Sequence, residues 1–478
     1  MKSNAIIFFL SICLCFIVAQ LQSQVMATGP IMTEKALMGE MQIFNADSSV
    51  MYGYENTGES KDGVTYAVRR YNLKTLQLEN EKTIVLPGFI SFIYEENGST
   101  CFIGRAGTKG KNQLFRAKHS ETEEKVSAEF FGEIPEPYFY LKYHSYSEEK
   151  KQHYCVYTSD VTVKGKTSIM VTVFDNALKQ IDQQPINLPQ FTKGVFLFDA
   201  LCDTEKGWLM LLLAPVEKLK EHPSPAGGAT QFVVYTYKGA GQETVTTLNV
   251  DGETVASPFL ITGISAQPFV LGLNKTDDVN QVIVLPLTKE LDKAGEQINI
   301  PVTLPKGSFE YDYISQVMRN SDSSFCILTV STWFQPKTIT CIGKNFRQKW
   351  AQALPTTPQT FLGASPALMN VLEMIPGTDS VGLIFHYLRT PTGNTDWIEN
   401  ADDLRNIKDK SYPSSAISVL NISLSTGKGH LQYNLNLSGQ KGYGGVCDLV
   451  YFNNEVIVAR AVLNHEGKNA SQLFSVKR

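Results

Sequence analysis

Eight times along its 478 residues this chain repeats one phrase: an apolar run, a tight polar turn and a second apolar run. LPGFISFIYEENGSTCFIGRAG, residues 86–107, is one copy; MQIFNADSSVMYGYE, FLFDALCDTEKGWLMLLLAP and YISQVMRNSDSSFCILTVST are others. The first residues of the second runs are Val50, Cys101, Cys155, Trp208, Phe269, Phe325, Val381 and Val456, spaced by 51 to 61 residues apart from a last step of 75. Repetition at such a period restricts the chain to a solenoid, a propeller or a linear array.

The rest of each repeat narrows the choice. Two more β-rich runs follow the phrase, as in VTYAVRRYNL and KTIVLP, or SIMVTVFDN and QPINLP. The fourth run often closes on Leu-Pro or Ile-Pro, at Pro87, Pro135, Pro189, Pro305 and Pro355. Proline has no amide hydrogen and ends a ladder, so it belongs on an outer edge strand. The inner runs are continuously apolar, which implies sheets covered on both faces. A solenoid needs polar-faced capping repeats, and none is visible. The expectation is an all-β chain forming a single β-propeller of four-stranded blades, eight favoured and seven the alternative. The last repeat stops after three strands (DLVYFNN, EVIVARAVL, SQLFSVKR), so residues between about Pro30 and Leu37 are expected to supply the fourth and close the ring.

Residues 5–19 (AIIFFLSICLCFIVA) follow Lys2 as an apolar run of 15. That is short for a membrane span of about 20 and right for the core of a secretory signal. Residues 1–27 are therefore read as a signal peptide, cleaved between 19 and 28, and residues 28–478 as one propeller domain with insertions at 214–231 and 388–415. No later run is long enough to span a bilayer, and a secreted, periplasmic or envelope-associated location follows. Lys and Arg total 43 against 47 Asp and Glu, a net charge of −4 that gives no basic field for nucleic acid. Six cysteines remain after the leader, at 101, 155, 202, 326, 341 and 447, too scattered for a zinc site and too sparse for a disulfide scaffold.

RRYNLKTLQLENEKTIVLP, VTVFDNALKQIDQQPINLP and CIGKNFRQKWAQALP share a strand, a short polar turn and a strand ending in LP. In this the chain resembles bacterial secreted and envelope propeller-like repeat proteins of unassigned activity. The resemblance spans nearly the whole mature chain and implies a fold and a compartment, without an activity.

Catalytic signals are sparse. The seven histidines form no HExxH and no close ligand pair, and neither a metal nor a cofactor is expected. DTEKGW, residues 203–208, is similar to the aspartate box of sialidase propellers but lacks its flanking Ser/Thr, and reads as a hairpin turn. The expected function is a scaffold binding a protein, glycan or small molecule on the face carrying the long second-to-third-strand loops. The alternative is a polysaccharide hydrolase or lyase whose acids converge at the channel mouth.

Candidate ligand contacts are the basic loop residues Arg105, Lys109 and Lys111, then Tyr138, Phe309, Trp333 and Trp397. Tyr138 and Phe309 belong to a set of aromatics preceding the inner strands, with Phe89, Phe191, Phe259, Phe361 and Tyr443, which either plug gaps between blades or form a stacking platform. TDWIENADDLRNIKD, residues 395–409, has capping and spacing signals for a short helix. Cys326 and Cys341 flank the loop STWFQP, and a symmetric hairpin would oppose them in a disulfide.

Overall fold

The computed structural model describes residues 25–33, 42–45, 50–96, 99–108, 111–119, 126–136, 138–159, 168–203, 205–219, 228–251, 254–262, 268–276, 279–302, 312–331, 336–353, 373–377, 379–388, 415–436, 445–452, 456–465 and 468–477. The expected helix at 395–409 and the residues Lys109, Phe309, Trp333 and Trp397 lie outside them.

Strand β1 (Val25–Thr33) comes first in the chain. Sheet I follows with β2 (Gln42–Asn45), β3 (Val50–Ser60), β4 (Gly63–Asn72) and β5 (Leu78–Leu86). Sheet II holds β6 (Phe89–Glu96), β7 (Ser99–Thr108), β8 (Lys111–Lys118) and β9 (Ala128–Glu133). Sheet III holds β10 (Tyr138–Ser147), β11 (Gln152–Ser159), β12 (Ile169–Asp175) and β13 (Gln180–Pro185). Sheet IV has β14 (Val195–Cys202), β15 (Leu209–Pro215), β17 (Gln231–Tyr237) and β18 (Glu243–Asn249), while the short β16 (Gly228–Ala229) between them pairs elsewhere. Sheet V is β19 (Val255–Ile261), β20 (Phe269–Thr276), β21 (Val279–Pro286) and β22 (Ile298–Pro301), with β16 added on the free edge of β19. Sheet VI contains β23 (Asp312–Arg319), β24 (Phe325–Ser331), β25 (Pro336–Ile342) and β26 (Gln348–Ala353). Sheet VII contains β27 (Glu373–Pro376), β28 (Ser380–Leu388), β29 (Ser415–Ser423) and β30 (Gly429–Asn436). Sheet VIII contains β31 (Gly445–Phe452), β32 (Val456–His465), β33 (Lys468–Lys477) and the N-terminal β1, in the order β1-β33-β32-β31. All pairings are antiparallel, and the eight sequence markers fall in or next to the second strands.

Why the inner runs lack alternation is visible in the packing. A strand points successive side chains to opposite faces, and here both faces meet another sheet. Leu209, Leu211 and Leu213 of β15 join Tyr154 and Val156 of sheet III, while Met210 and Leu212 join Val270 and Ile283 of sheet V. Phe325 and Ile327 of β24 pack with Phe269 and Leu271 of sheet V; Cys326 and Leu328 pack with Val381 and Leu383 of sheet VII. Sheets II to VI thus each share one core with the sheet before and another with the sheet after. The fourth strands are different: β5, β9 and β13 are largely exposed, as outer edges should be. First strands meet one another in chain order, β6 on β10, β10 on β14, β14 on β19, β19 on β23 and β23 on β27, and β31 lies against β2.

The N-terminal strand sits earlier than its sequence suggested. β1 pairs with β33 from Val25 opposite Val476 to Thr33 opposite Ala470, with an irregularity between Thr28 and Ile31. Gly29 and Pro30 occupy that slip. A proline without an amide hydrogen reads as a strand start, but an outer edge strand can carry it in a bulge and pair on both sides.

The third-to-fourth-strand turns explain the recurring polar turn. Leu76, Leu178, Leu291 and Phe346 each have a left-handed φ, of 55°, 61°, 60° and 56°. The three leucines are buried, at 0 %, 4 % and 2 % exposure. A side chain rarely tolerates this backbone, and here burial of an apolar group offsets the strain. A polar residue just upstream holds each leucine turn: Asn72 Oδ1 accepts from the Lys74 and Thr75 amides, and Asp175 Oδ1 from Ala177 and Lys179, at 2.9 to 3.1 Å. Thr288 Oγ1 does the same for Asp292 and Lys293 at 3.2 Å. Asp175→Ala should therefore cost about 1–2 kcal/mol by orphaning two turn amides. Urea denaturation checks this, and an unchanged midpoint would mean the turn holds without its side chain.

Candidate functional site

The leading ends of the first strands are built by one repeated irregularity. The ladder to the second strand slips between Ile90 and Phe92, Leu141 and Tyr143, Leu197 and Asp199, Ile314 and Gln316, and Val446 and Asp448. The bulged residues left over are Ser91, Lys142, Phe198, Ser315 and Cys447. With the slip as a ruler, Phe89, Tyr140, Phe196 and Tyr313 occupy equivalent positions, each just before the aliphatic residue that precedes the bulge. Phe89 is 44 % exposed and Tyr140 46 %, both on rigid strands. Phe196 is half-buried, its ring 4.9 Å from that of Phe198 in a T-shaped contact. Lys142 is exposed, its Nζ 5.1 Å from the Tyr140 ring centroid. At the start of β6 the chain passes so near β7 that a Cβ on Gly88 would lie 2.1 Å from the Arg105 carbonyl oxygen, which requires glycine there.

The residue after each slip ties one sheet to the next. Asp199 Oδ2 accepts the Leu260 amide of β19 at 3.0 Å, and Gln316 Oε1 accepts the Met374 amide of β27 at 2.8 Å. The hydroxyl of Tyr143 accepts a bond from the Cys202 backbone of β14. A first strand has one free edge whose backbone amides must find partners, and these side chains from the neighbouring sheet supply them. Asp199 also accepts the Ala200 amide at 2.8 Å, and burial pushes its carboxyl above the usual range. Both of its oxygens are committed to amides, so it is not free to act on a substrate.

The residues singled out from sequence distribute unevenly around this row. Arg105 is half-buried in β7, opposite Phe89 in the ladder. Lys111 begins β8. Tyr138 is buried at 7 % among Leu114, Cys155 and Tyr157, in the core between sheets II and III. Phe191 and Phe259 pack partly buried against cores as well. Among the described lead-in aromatics, Phe89, Tyr138, Phe191 and Phe259, only Phe89 coincides with the exposed row. Tyr140 and Phe196 were missed, although FISF, YLKY, FLFD and YISQ spell the repeat in the sequence. Cys326 and Cys341 stand directly opposite each other in β24 and β25, both buried and both free thiols.

The described ends of the 214–231 insertion, residues 214–219 and 228–231, lie at the same end of the first strands. After a single 3-10 turn at Val216–Lys218, its Gly228 and Ala229 pair with Ala256 and Val255 of β19, which makes sheet V five-stranded. DTEKGW forms the β14–β15 hairpin turn, with Asp203 Oδ1 accepting the Glu205 and Lys206 amides at 2.9 and 2.8 Å.

At the far ends of the first strands lies a buried polar seam. His144 Nε2 and His153 Nδ1 are 3.2 Å apart, ringed by Tyr94 and Tyr146, and Tyr54 Oη is 3.1 Å from His119 Nδ1. Burial lowers all three imidazoles, His144 to about 3 and His119 and His153 to about 4. Nearby, Glu96 pairs with Arg116 and accepts from the Cys101 thiol at 3.6 Å. Burial raises the Cys101 thiol and pushes that of Cys155 up to about 12, so neither is a poised nucleophile. Among the described residues no three His, Cys, Asp or Glu side chains are grouped to hold a metal ion, and no helix is long and apolar enough to cross a membrane.

No protein-family model and no curated protein sequence matches the chain. Solved structures similar to it include the periplasmic gluconolactonase of Pseudomonas aeruginosa, at 10 % identity and a TM-score of 0.42, covering 83 % of this chain and 94 % of that one. The β-propeller domain of the trilobed protease from Pyrococcus furiosus aligns at 10 % identity and 0.39, over 83 % and 97 %. An ulvan lyase of a polysaccharide lyase family aligns at 10 % identity and 0.41, over 95 % and 96 %.

Proposed function

We propose that the chain is an exported eight-bladed β-propeller, closed by β1 on β33, that binds a ligand without transforming it on the face where the first strands begin. Eight sheets in tandem, a terminal strand from each end in one sheet, and the contact of β31 with β2 support the ring. One observation carries the binding reading: exposed aromatic rings recur at one position of neighbouring first strands, on the side where the long second-to-third-strand loops also emerge. Rigid strands carrying exposed apolar groups beside long loops are where ligands dock. The hydrolase or lyase reading needs acids free to move protons, and Asp199 is spoken for.

Export has a sharp consequence. The leader must be removed before Val25 for the whole of β1 to pair, so intact-mass analysis of the secreted protein should place its first residue between 20 and 25. A start beyond residue 28 would remove the Val25 to Thr28 pairing and the closure with it. Deleting residues 392–412 should leave the fold intact and weaken ligand binding; a deletion that abolished folding would make the segment core and defeat the reading.

A further inference from the structure

We infer that the row Phe89, Tyr140 and Phe196, with Lys142, is a subsite for an acidic glycan whose pyranose rings stack on the aromatics and whose carboxylate meets the lysine. The inference rests on the binding reading above and gives it a ligand class.

Three rings at equivalent positions on β6, β10 and β14 make a repeated surface, and neighbouring strands in this series touch. A repeated surface suits a ligand with a repeated flat face better than a single compact molecule. Sugars offer such a face: the axial C–H bonds of a pyranose present a weakly positive apolar patch, complementary to the negative face of an aromatic ring. The rings cost little entropy to use, having two side-chain torsions each and standing on paired strands.

Charge selects among glycans. Lys142 is the bulged residue of β10, which places its ammonium beside Tyr140 instead of in the ladder. It is exposed and has no carboxylate partner among the described residues. A uronate stacked on Tyr140 would put its carboxylate within reach of that ammonium. The carboxylate on β14 offers no competing charge at the surface, since Asp199 is turned into the sheet contact by Leu260 and Ala200.

Isothermal titration of the full chain with a galacturonate hexamer tests this, with maltohexaose as the neutral control. The acidic oligomer should bind, and Tyr140→Ala and Lys142→Gln should each weaken it about tenfold or more. Tyr140→Phe keeps the ring and should bind as wild type does. Added salt should weaken the wild type and leave Lys142→Gln nearly unchanged. Both Tyr140 and Lys142 are exposed enough for the variants to keep the wild-type melting curve, which is checked alongside. No binding of the acidic oligomer by the wild type at millimolar concentration overturns the inference, as does binding indifferent to both substitutions. Equal affinity for maltohexaose overturns its acidic part. A different ligand whose binding needs residues 392–412 but tolerates Tyr140→Ala would sink the inference and leave the binding reading standing.

Discussion

Between pH 7 and pH 4 the protein should lose most of its stability, in a transition set by three buried histidines. His119, His144 and His153 are all neutral in the fold, with pKa values lowered from 6.5 to about 4, 3 and 4. Burial is the largest cause in each; Lys82 adds to it for His119, His153 for His144, and Arg116 for His153, where Asp175 works the other way. The unfolded chain binds protons at these rings near pH 6.5 while the folded chain does not, so stability is complete above that pH and falls as the pH drops through the gap. At pH 4 each ring would contribute a loss on the order of 3 kcal/mol before any relief from residual exposure or from coupling between His144 and His153. Three such losses rival the 5–15 kcal/mol that holds a typical domain together. Asp199 opposes them in part, because its raised carboxyl favours the fold at low pH. Urea midpoints from pH 7.5 to 4.5 measure the effect. A midpoint constant over that range would show that the seam opens to water, and His144→Phe with His153→Phe should flatten the slope if it does not.

Much of this architecture could be read from the chain, for a physical reason. Strand, turn and proline signals act locally, so each repeat declared its four strands, and the double-sided burial of β15 and β24 showed as unbroken apolar runs. Register across the β24–β25 hairpin was also local, which is why counting outward from STWFQP paired Cys326 with Cys341. The row of exposed aromatics was legible only to within one or two residues, because a bulge shifts which side chain is presented and alternation no longer holds across it. Tyr138 looked like Phe89 in position and is instead buried, whereas Tyr140 carries the equivalence. The histidine seam gave no sequence signal at all. His144 and His153 share a sheet, but His119 meets Tyr54 across sheets, and Tyr94 reaches both His144 and His153 from the neighbouring sheet. Such contacts exist only once the sheets stack.

Oxidation of Cys326 and Cys341 to a disulfide should stabilise the protein by roughly 3 kcal/mol, the chain-entropy value for a loop of about 15 residues. The two thiols face each other across β24 and β25 and are wholly buried. Their shared hydrogen bond raises Cys326 and lowers Cys341, which favours Cys341 as the attacking sulfur. Asn320 Nδ2 donates to Cys326 Sγ at 3.4 Å and Ser324 lies 3.8 Å from Cys341 Sγ, which holds both sulfurs in one polar niche. With oxidised glutathione the exchange balances: the Cys341 thiolate attacks the disulfide and expels one glutathione thiolate, then Cys326 attacks the mixed disulfide and expels the other, giving one protein disulfide and two reduced glutathiones. On the proposed leader-free chain, thiol counting on the unfolded, unreduced protein should find four free thiols, those of Cys101, Cys155, Cys202 and Cys447, and reductant should lower the urea midpoint of the wild type. The same reductant should leave the Cys326→Ala, Cys341→Ala double variant unmoved. Six free thiols, or a crosslinked peptide pairing any other two cysteines, would leave Cys326 and Cys341 as a reduced core pair and remove the stabilisation argued for them.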